Sequence, residues 1–361
     1  MNLLFIDRNA KVGGGTTYLR TLVPEIRKLG HCCYLLSGAG PCTPELRDLT
    51  DGLVGHPPVG WLARRAIARA IARWRIDVVI TQTTTCARHA VAPCRQAGVP
   101  LIMNIHSRCD MSEAREATDY AGRIVVMNEG TARHVRAQVP GRPDRVHLSI
   151  LPVDPDRFPA APPRDEPGFA VAHCGRISHT KGRHVIASLR AAHELVEDIP
   201  GLSLTIVGGT GGRLRDIRKR LTALNTACGR PIASAPGQTM DPRPHLIGAD
   251  LVIGAGYVAL EALSMNRRVV GVGFAGLFGE VTPENFEDAV AANFGDTGAT
   301  IEDVSAEATA AAIRQAYANH QSLGQIDWGS ARVSGACAPS RIARELTALY
   351  EGCLAGVSAA R

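Results

Sequence analysis

Two cations, Arg176 and Lys181, flank a short loop in the second half of the chain, in the segment Gly175-Arg176-x4-Lys181-Gly182. The loop follows the apolar run FAVAHCG and precedes a helical pattern, so both cations lie near the end of a predicted strand. Arginine offers a planar fork of donors and lysine a point charge, and together they suit a diphosphate. Two solvated basic residues beside a loop are the alternative, but the position at a strand end favours a catalytic role in neutralising a diphosphate.

A glycine-rich loop, Gly13-Gly14-Gly15, lies between the apolar run LLFID and a helical pattern. Glycine lets the backbone approach a ligand, and a helix N-terminus supplies free N–H groups and positive potential. This arrangement suits a phosphate. Tight turns between strand and helix also use glycine for conformational reasons alone, so both interpretations stay open.

The segment ADLVIGAGYVALEAL contains Gly254-x-Gly256-x-x-Ala259, which satisfies the dinucleotide fingerprint. That fingerprint requires an acid at the end of the next strand, where this chain has Gly273 and Phe274, so a dinucleotide is not expected. Glu261 could instead accept hydrogen bonds from a nucleotide ribose, and its apolar neighbours argue that it has a partner. The ligand-binding residues predicted in this segment are Gly254, Gly256, Tyr257, Val258 and Glu261.

His106 ends the apolar run PLIMNIH. Ligands of open α/β sheets bind at such strand ends, so this histidine is a candidate catalytic residue, although a purely structural histidine is about equally compatible with the pattern. Asp154 and Asp156 resemble a metal-binding pair, but they open a proline-rich stretch, and we interpret them as a turn.

Short apolar runs alternate with amphipathic segments in two series, which predicts an α/β fold of two doubly wound, Rossmann-like domains facing a cleft. We expect an N-terminal domain over residues 1–155, a proline-rich linker over 156–168 and a second domain over 169–335. Six prolines among residues 151–168 mark the linker, because such a stretch cannot continue a helix or strand. A C-terminal helix over 336–361 is expected to pack back on the first domain.

Charge is unevenly distributed along the 361 residues, whose net charge is +6. Residues 1–150 carry 20 Lys and Arg against 12 Asp and Glu, whereas residues 151–361 carry 20 against 22. The first domain is therefore expected to meet an anionic partner. Aromatic residues make up only 4% of the chain and no recognition motif is present, which disfavours nucleic acid.

The ten cysteines lack the spacing of a zinc site or a disulfide framework, and no apolar run is long enough for a membrane span or a secretory signal. We therefore expect a cytoplasmic protein, and peripheral contact with a membrane stays open. The segment LARRAIARAIARWR, residues 62–75, places Arg65, Arg69 and Arg73 on one helical face. Such a face is usually only solvated, but an anionic membrane or acceptor contact stays open.

The order of these motifs resembles the GT-B glycosyltransferases, family 4-like, over nearly the whole chain and most strongly from 150 to 273. The resemblance implies transfer of a sugar from a nucleoside-diphosphate sugar to an acceptor hydroxyl, with retention and without a metal or a further cofactor. It assigns the diphosphate to Arg176 and Lys181, the ribose to Glu261, and the phosphate and transferred sugar to Gly13–Gly15. It places His106 beside the reaction centre, and Gly208 and Gly209 match the family's glycines at a strand end. It also implies that the N-terminal domain, residues 1–155, lies on the acceptor side. The domain over 169–335 would bind the nucleotide-sugar, with the residues predicted in the segment 254–261 contacting this donor.

One position departs from the family pattern. A Glu-x7-Glu pair would put its first acid at 253, where this chain has Ile253, which leaves the donor sugar undefined. Two rival functions stay open, a sugar-nucleotide epimerase of the same architecture and a non-catalytic nucleotide-sugar-binding protein. The basic first domain slightly favours an anionic or lipid-linked acceptor over a neutral one, and the donor nucleotide and the oligomeric state stay open.

Overall fold

The computed structural model describes residues 1–139, 141–177, 181–298 and 304–359. The chain forms two compact units. Unit 1 comprises Met1–Pro152 and Cys337–Arg361, and unit 2 comprises Val153–Ala336.

Unit 1 is built on a parallel sheet of seven strands in the order β3-β2-β1-β4-β5-β6-β7. Leu3 pairs with Cys33 on one side and Val78 on the other, so β1 is central. Its residues are buried on both faces, which explains the unbroken apolar run LLFI. The strands are β1 (Asn2–Asp7), β2 (Cys32–Ser37), β3 (Gly52–Gly55), β4 (Val78–Thr81), β5 (Leu101–Ile105), β6 (Arg123–Val126) and β7 (Val146–Leu148).

Helices cover both faces of this sheet, as parallel strands require. The helix after β4 shows the local signals clearly, because the Thr83 hydroxyl accepts a hydrogen bond from the Cys86 N–H at its start and Gly98 ends it in the left-handed region. The helices are α1 (Gly14–Lys28), α2 (Thr43–Leu49), α3 (Gly60–Trp74), α4 (Thr84–Ala97), α5 (Arg115–Tyr120), α6 (Glu129–Gln138) and, from the end of the chain, α14 (Pro339–Ala359).

Unit 2 contains a six-stranded sheet in the order β10-β9-β8-β11-β12-β13. Five strands are parallel, and the edge strand β13 runs antiparallel to β12, with Val270 opposite Glu280. The strands are β8 (Ala170–Cys174), β9 (Ser203–Val207), β10 (Ala233–Gly237), β11 (Leu251–Gly254), β12 (Arg268–Val272) and β13 (Leu277–Glu280). The helices are α7 (Lys181–Leu195), α8 (Gly211–Ala227), α9 (Arg243–Ile247), α10 (Tyr257–Ser264), α11 (Phe286–Ala291), α12 (Ala306–Leu323) and α13 (Gly329–Ala336).

The proline-rich segment is hydrogen-bonded to unit 2. The Ser264 hydroxyl donates to the Phe158 carbonyl at 2.7 Å, and the Arg267 guanidinium donates to the Pro162 carbonyl at 2.7 Å. Arg164 forms a buried ion pair of 2.8 Å with Asp250, at the start of β11. These contacts place residues 153–168 in unit 2, although they have no regular secondary structure apart from turns.

The C-terminal helix α14 packs against α1 in unit 1 and buries Ile342, Leu346 and Tyr350. The ten cysteines are free thiols, and seven of them are buried. Among the described helices, none has the length and apolar character needed to cross a bilayer.

Candidate active site

The carboxyl ends of β8 and β11 adjoin at the point where the strand order of unit 2 reverses. β8 pairs with both β9 and β11, and ligands of doubly wound sheets bind in the crevice at such a position. Gly175 and Arg176 follow β8, and the Gly254–Gly256 turn follows β11. Arg176 is exposed and forms no ion pair with any described residue. Residues 178–180, between the two predicted cations, lie outside the described part of the chain.

Lys181 begins α7 and forms an ion pair with Asp296 at 2.8 Å. Its ammonium also lies 4.3 Å from the centre of the Phe274 ring, a distance typical of a cation–π contact. Asp296 accepts a second hydrogen bond, from the Phe274 N–H, at 2.9 Å. The lysine is therefore held between a carboxylate and an aromatic face, with 18% of its side chain exposed.

Asn293 connects this cluster to the start of α10. It has a φ of 49°, in the left-handed region, and its amide donates to the second oxygen of Asp296 at 3.0 Å. A Cβ added at Gly256, which has a φ of 60°, would lie 3.5 Å from the Asn293 amide oxygen. The loop after α11 thus brings an amide and a carboxylate to the crevice, next to the turn that precedes α10.

Close packing around the backbone requires glycine at three of the predicted positions. A Cβ at Gly208 would overlap the Gly175 carbonyl, one at Gly209 would lie 2.9 Å from Ile177, and one at Gly254 would lie 2.8 Å from Val258. These glycines let the loops after neighbouring strands lie against each other. Contact with a donor remains a prediction for them.

Glu261 lies within α10 and is only 4% exposed. It is near the Cys174 thiol, whose pKa is raised to about 12, first by burial and then by the charge of Glu261. Tyr257 is buried at the start of the same helix, and Val258 is half-buried beside it. Ile253 is a fully buried β11 residue paired with His173 and Val270, so the side chain at this position belongs to the core of the sheet.

A buried polar chain lies at the carboxyl ends of β4 and β5 in unit 1. The His106 Nε2 is 2.7 Å from the Gln82 amide oxygen, and the Asn104 amide donates to the same oxygen at 3.4 Å. Asn104 is also 3.5 Å from the Tyr18 hydroxyl, and the Tyr18 ring lies edge-on to His106. Burial lowers the pKa of His106 to about 4, so its imidazole is neutral at physiological pH.

This polar chain contains unsatisfied groups. Asn104 is fully buried and Gln82 is 3% exposed, yet the Gln82 amide nitrogen and the Asn104 amide oxygen lack a hydrogen-bond partner in the described part of the chain. Most buried polar atoms in folded proteins have a hydrogen-bond partner, so these two atoms are exceptions to that rule.

The glycine-rich loop adjoins the end of β1. Helix α1 begins at Gly14, so Gly14 and Gly15 form its first turn, whereas the sequence pattern placed them in the loop before it. A Cβ on Gly15 would lie 3.9 Å from an Asp7 carboxylate oxygen. Burial raises the pKa of Asp7 to about 6. Gly13 and Gly14 are exposed.

Each unit therefore contains part of the predicted site. Unit 2 holds Arg176, Lys181 and the turn before α10, and unit 1 holds Gly13–Gly15 and His106. Sequence reasoning missed Asp296, Asn293, Gln82, Asn104 and Tyr18. Gln82 and Asn104 carry a detectable signal, because each is a polar residue at or near the end of an apolar run. The described residues contain no group of three or more His, Cys, Asp or Glu side chains that could hold a metal ion.

Comparison with solved structures supports the architecture. HepE from Anabaena, in complex with UDP-glucose, is 17% identical with a TM-score of 0.75, and the match covers 98% of this chain and 100% of HepE. Sucrose-phosphate synthase from Thermosynechococcus elongatus is 17% identical with a TM-score of 0.73, covering 99% and 100%. A glycosyltransferase from Rickettsia africae is 16% identical with a TM-score of 0.75, covering 98% of each chain. At these identities the likeness establishes the fold, which is GT-B.

Sequence comparison adds a family. No curated protein sequence matches the chain. Residues 12–157 match the model of Glycosyltransferase Family 4, a span that includes the glycine-rich loop, α3 and His106. Residues 12–157 are therefore a glycosyltransferase family 4 domain within a GT-B fold.

Proposed function

We propose that the protein transfers a sugar from a UDP-sugar to an acceptor hydroxyl, with retention of the anomeric configuration. The observation that carries the proposal is Lys181, a part-buried cation in the crevice where the strand order of unit 2 reverses. HepE has the same fold and was solved with UDP-glucose, which supports uridine and a hexose as the first donor to test.

Two cations of unit 2, Arg176 and Lys181, would stabilise the charge that develops when the donor is cleaved. Breaking a glycosyl–phosphate bond leaves negative charge on the departing diphosphate and positive charge on the sugar ring. Lys181 and Arg176 would stabilise that negative charge as it develops, and such interactions act mainly in the transition state. Glu261 would bind the ribose, and the turn before α10 would face the sugar. Two cations suffice in principle to balance the diphosphate without a metal.

Lys181, the proposed diphosphate ligand, is already paired with the carboxylate of Asp296 in this structure. Because of this ion pair, a diphosphate must compete with Asp296 or share the ammonium with it. The Phe274 N–H and the Asn293 amide hold Asp296 in place and could accommodate its charge when Lys181 turns toward the donor. Asp296 would then keep Lys181 ordered before the donor arrives, which lowers the entropic cost of binding.

Unit 1 would hold the acceptor. The neutral His106, at the carboxyl end of β5, suits a hydroxyl group better than an anion. The basic character of residues 1–150 would attract a negatively charged portion of the acceptor, such as the phosphate of a lipid-linked sugar.

The first test compares Lys181→Ala with Lys219→Ala, an exposed lysine on α8 of the same unit. We expect Lys181→Ala to lower kcat about 10²-fold with UDP-glucose, as is typical when one charge donor of a transition state is removed. We expect Lys219→Ala to leave turnover unchanged. UDP release and glycosylated product are measured together, with and without EDTA.

Each outcome discriminates between functions. Equal turnover in Lys181→Ala and the unaltered protein would remove Lys181 from the reaction. An epimerised nucleotide-sugar without acceptor consumption would indicate an epimerase, and binding without any product would indicate a non-catalytic protein. Loss of activity in EDTA, restored by a divalent cation, would contradict metal independence.

A further inference from the structure

The exposed face of α3 is strongly basic. The helix, GWLARRAIARAIARW, contains four arginines and no acidic residue, and its buried side chains, Ala63, Ile67, Ala70 and Ile71, lie on the opposite face. The four arginines are exposed: Arg64, Arg65, Arg69 and Arg73.

These arginines form no ion pair with any residue in the described ranges. Arginines of other unit 1 helices do so: Arg27 pairs with Asp51 at 2.8 Å and Arg95 with Glu116 at 2.8 Å. An uncompensated row of four positive charges on one helix is electrostatically unfavourable without a counter-charge. The face is therefore complementary to an anionic surface.

Large apolar side chains are exposed at the N-terminal end of the same helix. Trp61 is 59% exposed, Val59 45% and Leu62 38%. The Arg65 guanidinium lies 5.9 Å from the centre of the Trp61 ring, so the apolar and basic groups form one continuous patch. We call Val59, Trp61, Leu62 and the four arginines the α3 surface.

The α3 surface begins at the edge of unit 1 that contains the candidate acceptor residues. Helix α3 starts just after β3, and all strands of this sheet are parallel, so its first turn lies at the carboxyl edge where Gln82 and His106 are found. A Cβ on Gly60 would lie 3.2 Å from the His89 ring. Burial lowers the pKa of His89, and the nearby positive charges of Arg64, Arg88 and Arg8 lower it further.

We propose that the α3 surface binds an anionic lipid bilayer, with the arginines on phosphate headgroups and Trp61, Val59 and Leu62 in the interfacial layer. This combination is that of interfacial amphipathic helices, in which apolar burial and attraction to anionic lipid act together. Nucleic acid would engage the arginines but would leave the aliphatic Val59 and Leu62 unburied, so lipid is favoured. The orientation would present the carboxyl edge of unit 1 to a lipid-linked acceptor, a consequence that rests on the proposed function.

The test measures partition of the full-length protein onto vesicles of phosphatidylglycerol with phosphatidylcholine, and onto vesicles of phosphatidylcholine alone, without a sugar donor. The variant Arg65→Ser/Arg69→Ser/Arg73→Ser is compared with Arg215→Ser/Lys219→Ser/Arg220→Ser. The second variant removes the same charge from α8, an exposed basic helix of unit 2 whose apolar residues are not exposed at its start.

We expect binding only to the anionic vesicles, weakened roughly 100-fold by the α3 variant and little by the α8 variant. Tryptophan fluorescence should shift to the blue when anionic vesicles are added, and Trp61→Phe should abolish the shift while Trp328→Phe retains it. Because the substituted side chains are exposed, unchanged thermal transitions confirm that both variants fold.

Equal binding by the α3 and α8 variants would overturn the proposal, because net charge alone would then explain it. Binding to a DNA duplex that exceeds vesicle binding and is insensitive to Trp61→Ser would point to nucleic acid instead. Transfer to a soluble acceptor without vesicle binding would overturn the membrane proposal alone. Vesicle binding without any transfer activity would overturn the proposed function alone.

Discussion

At the scale of single residues, desolvation accounts for the neutral state of His106 in unit 1. His106 is hydrogen-bonded to an amide oxygen, which only accepts, so Nε2 carries the proton and Nδ1 keeps its lone pair. Desolvation holds the pKa of the ring at about 4, well below its ordinary value. A neutral imidazole at the end of β5 can accept a hydrogen bond from a sugar or acceptor hydroxyl at physiological pH.

This burial makes unit 1 sensitive to acid. Because the folded pKa of His106 lies below the unfolded value of 6.5, the unfolded state takes up the proton first. The contribution of neutral His106 to the free energy of unfolding is fully present above pH 6.5 and is lost as the pH falls from 6.5 toward 4. Asparagine does not titrate, so the free energy of unfolding of His106→Asn should fall by about 3 kcal/mol less over this pH range than that of the unaltered protein. The buried Asp7, whose pKa is raised to about 6, acts in the opposite sense, so the difference between variant and unaltered protein is the informative quantity.

The measurement is urea unfolding at pH 7 and pH 4.5 in a Trp328→Phe background, where the remaining tryptophans, Trp61 and Trp74, both lie in unit 1. The same substitution at the partly exposed His134, which contacts the Cys109 carbonyl, controls for loss of an imidazole. An equal dependence on pH in His106→Asn and the unaltered protein would contradict a buried, neutral His106.

At the scale of elements, the antiparallel edge of unit 2 depends on one buried ion pair. Arg268 on β12 and Glu280 on β13 are 2.8 Å apart, with each side chain 6% exposed. Arg268 also donates to the carbonyls of Asn319 and Gly324, and the Asn319 amide donates to Glu280. The pair thereby joins two strands to α12.

Removing one partner of such a pair leaves the other charge buried. We expect Glu280→Ala to lower the free energy of unfolding of unit 2 by about 3–5 kcal/mol, and Glu280→Ala/Arg268→Leu to recover part of that loss. Glu287→Ala breaks the exposed pair with Arg332, also 2.8 Å, and should cost about 1 kcal/mol or less. Trp328 fluorescence in a Trp61→Phe/Trp74→Phe background reports the unit 2 transition. Similar losses for Glu280→Ala and Glu287→Ala would contradict this role for β13.

The hydrophobic pattern of the sequence predicted the central strands of both sheets but missed the edge strands. The apolar runs at β1, β8 and β11 were recognisable because central parallel strands are buried on both faces. The strand β10, ASAPG, is buried only at its two ends, Ala233 and Gly237, and contains a proline, so it lacks that pattern. The antiparallel β13 was not anticipated, since its pairing is fixed by Arg268 and Glu280 rather than by local composition.

At the scale of the whole molecule, the candidate site combines local and distant contributions. Arg176, Lys181 and His106 were predicted as site residues because each lies near the end of a strand, where ligands of doubly wound folds bind. Asp296 lies 115 residues from Lys181 along the chain, and nothing in its neighbourhood marks it. Contacts over such separations follow from the packing of the α11 loop, which a single sequence does not reveal. The polar chain of Gln82, Asn104 and Tyr18 likewise depends on three separate elements.

The end of the chain completes unit 1. Helix α14 packs on α1, and its Tyr350 is fully buried. Burial raises the pKa of Tyr350 well above its ordinary value, and the nearby Tyr18 and Cys33 raise it further. Tyr18 in turn contacts His106 and Asn104. Helix α14 therefore supports the polar chain through α1. Its buried side chains, Ile342, Leu346 and Tyr350, each contribute about 1.5–3 kcal/mol by their removal from water.

Ending the chain after Ala336 should therefore unfold unit 1 and leave unit 2 folded. The fluorescence of Trp61 and Trp74 should lose its cooperative transition, whereas Trp328 should keep one. The milder variant Leu346→Ala should lower the stability of unit 1 by about 2–5 kcal/mol. Leu323→Ala, at a 74% exposed position on α12, serves as its control. If the shortened protein kept an unchanged unit 1 transition, α1 and the polar chain around His106 would be stable without α14.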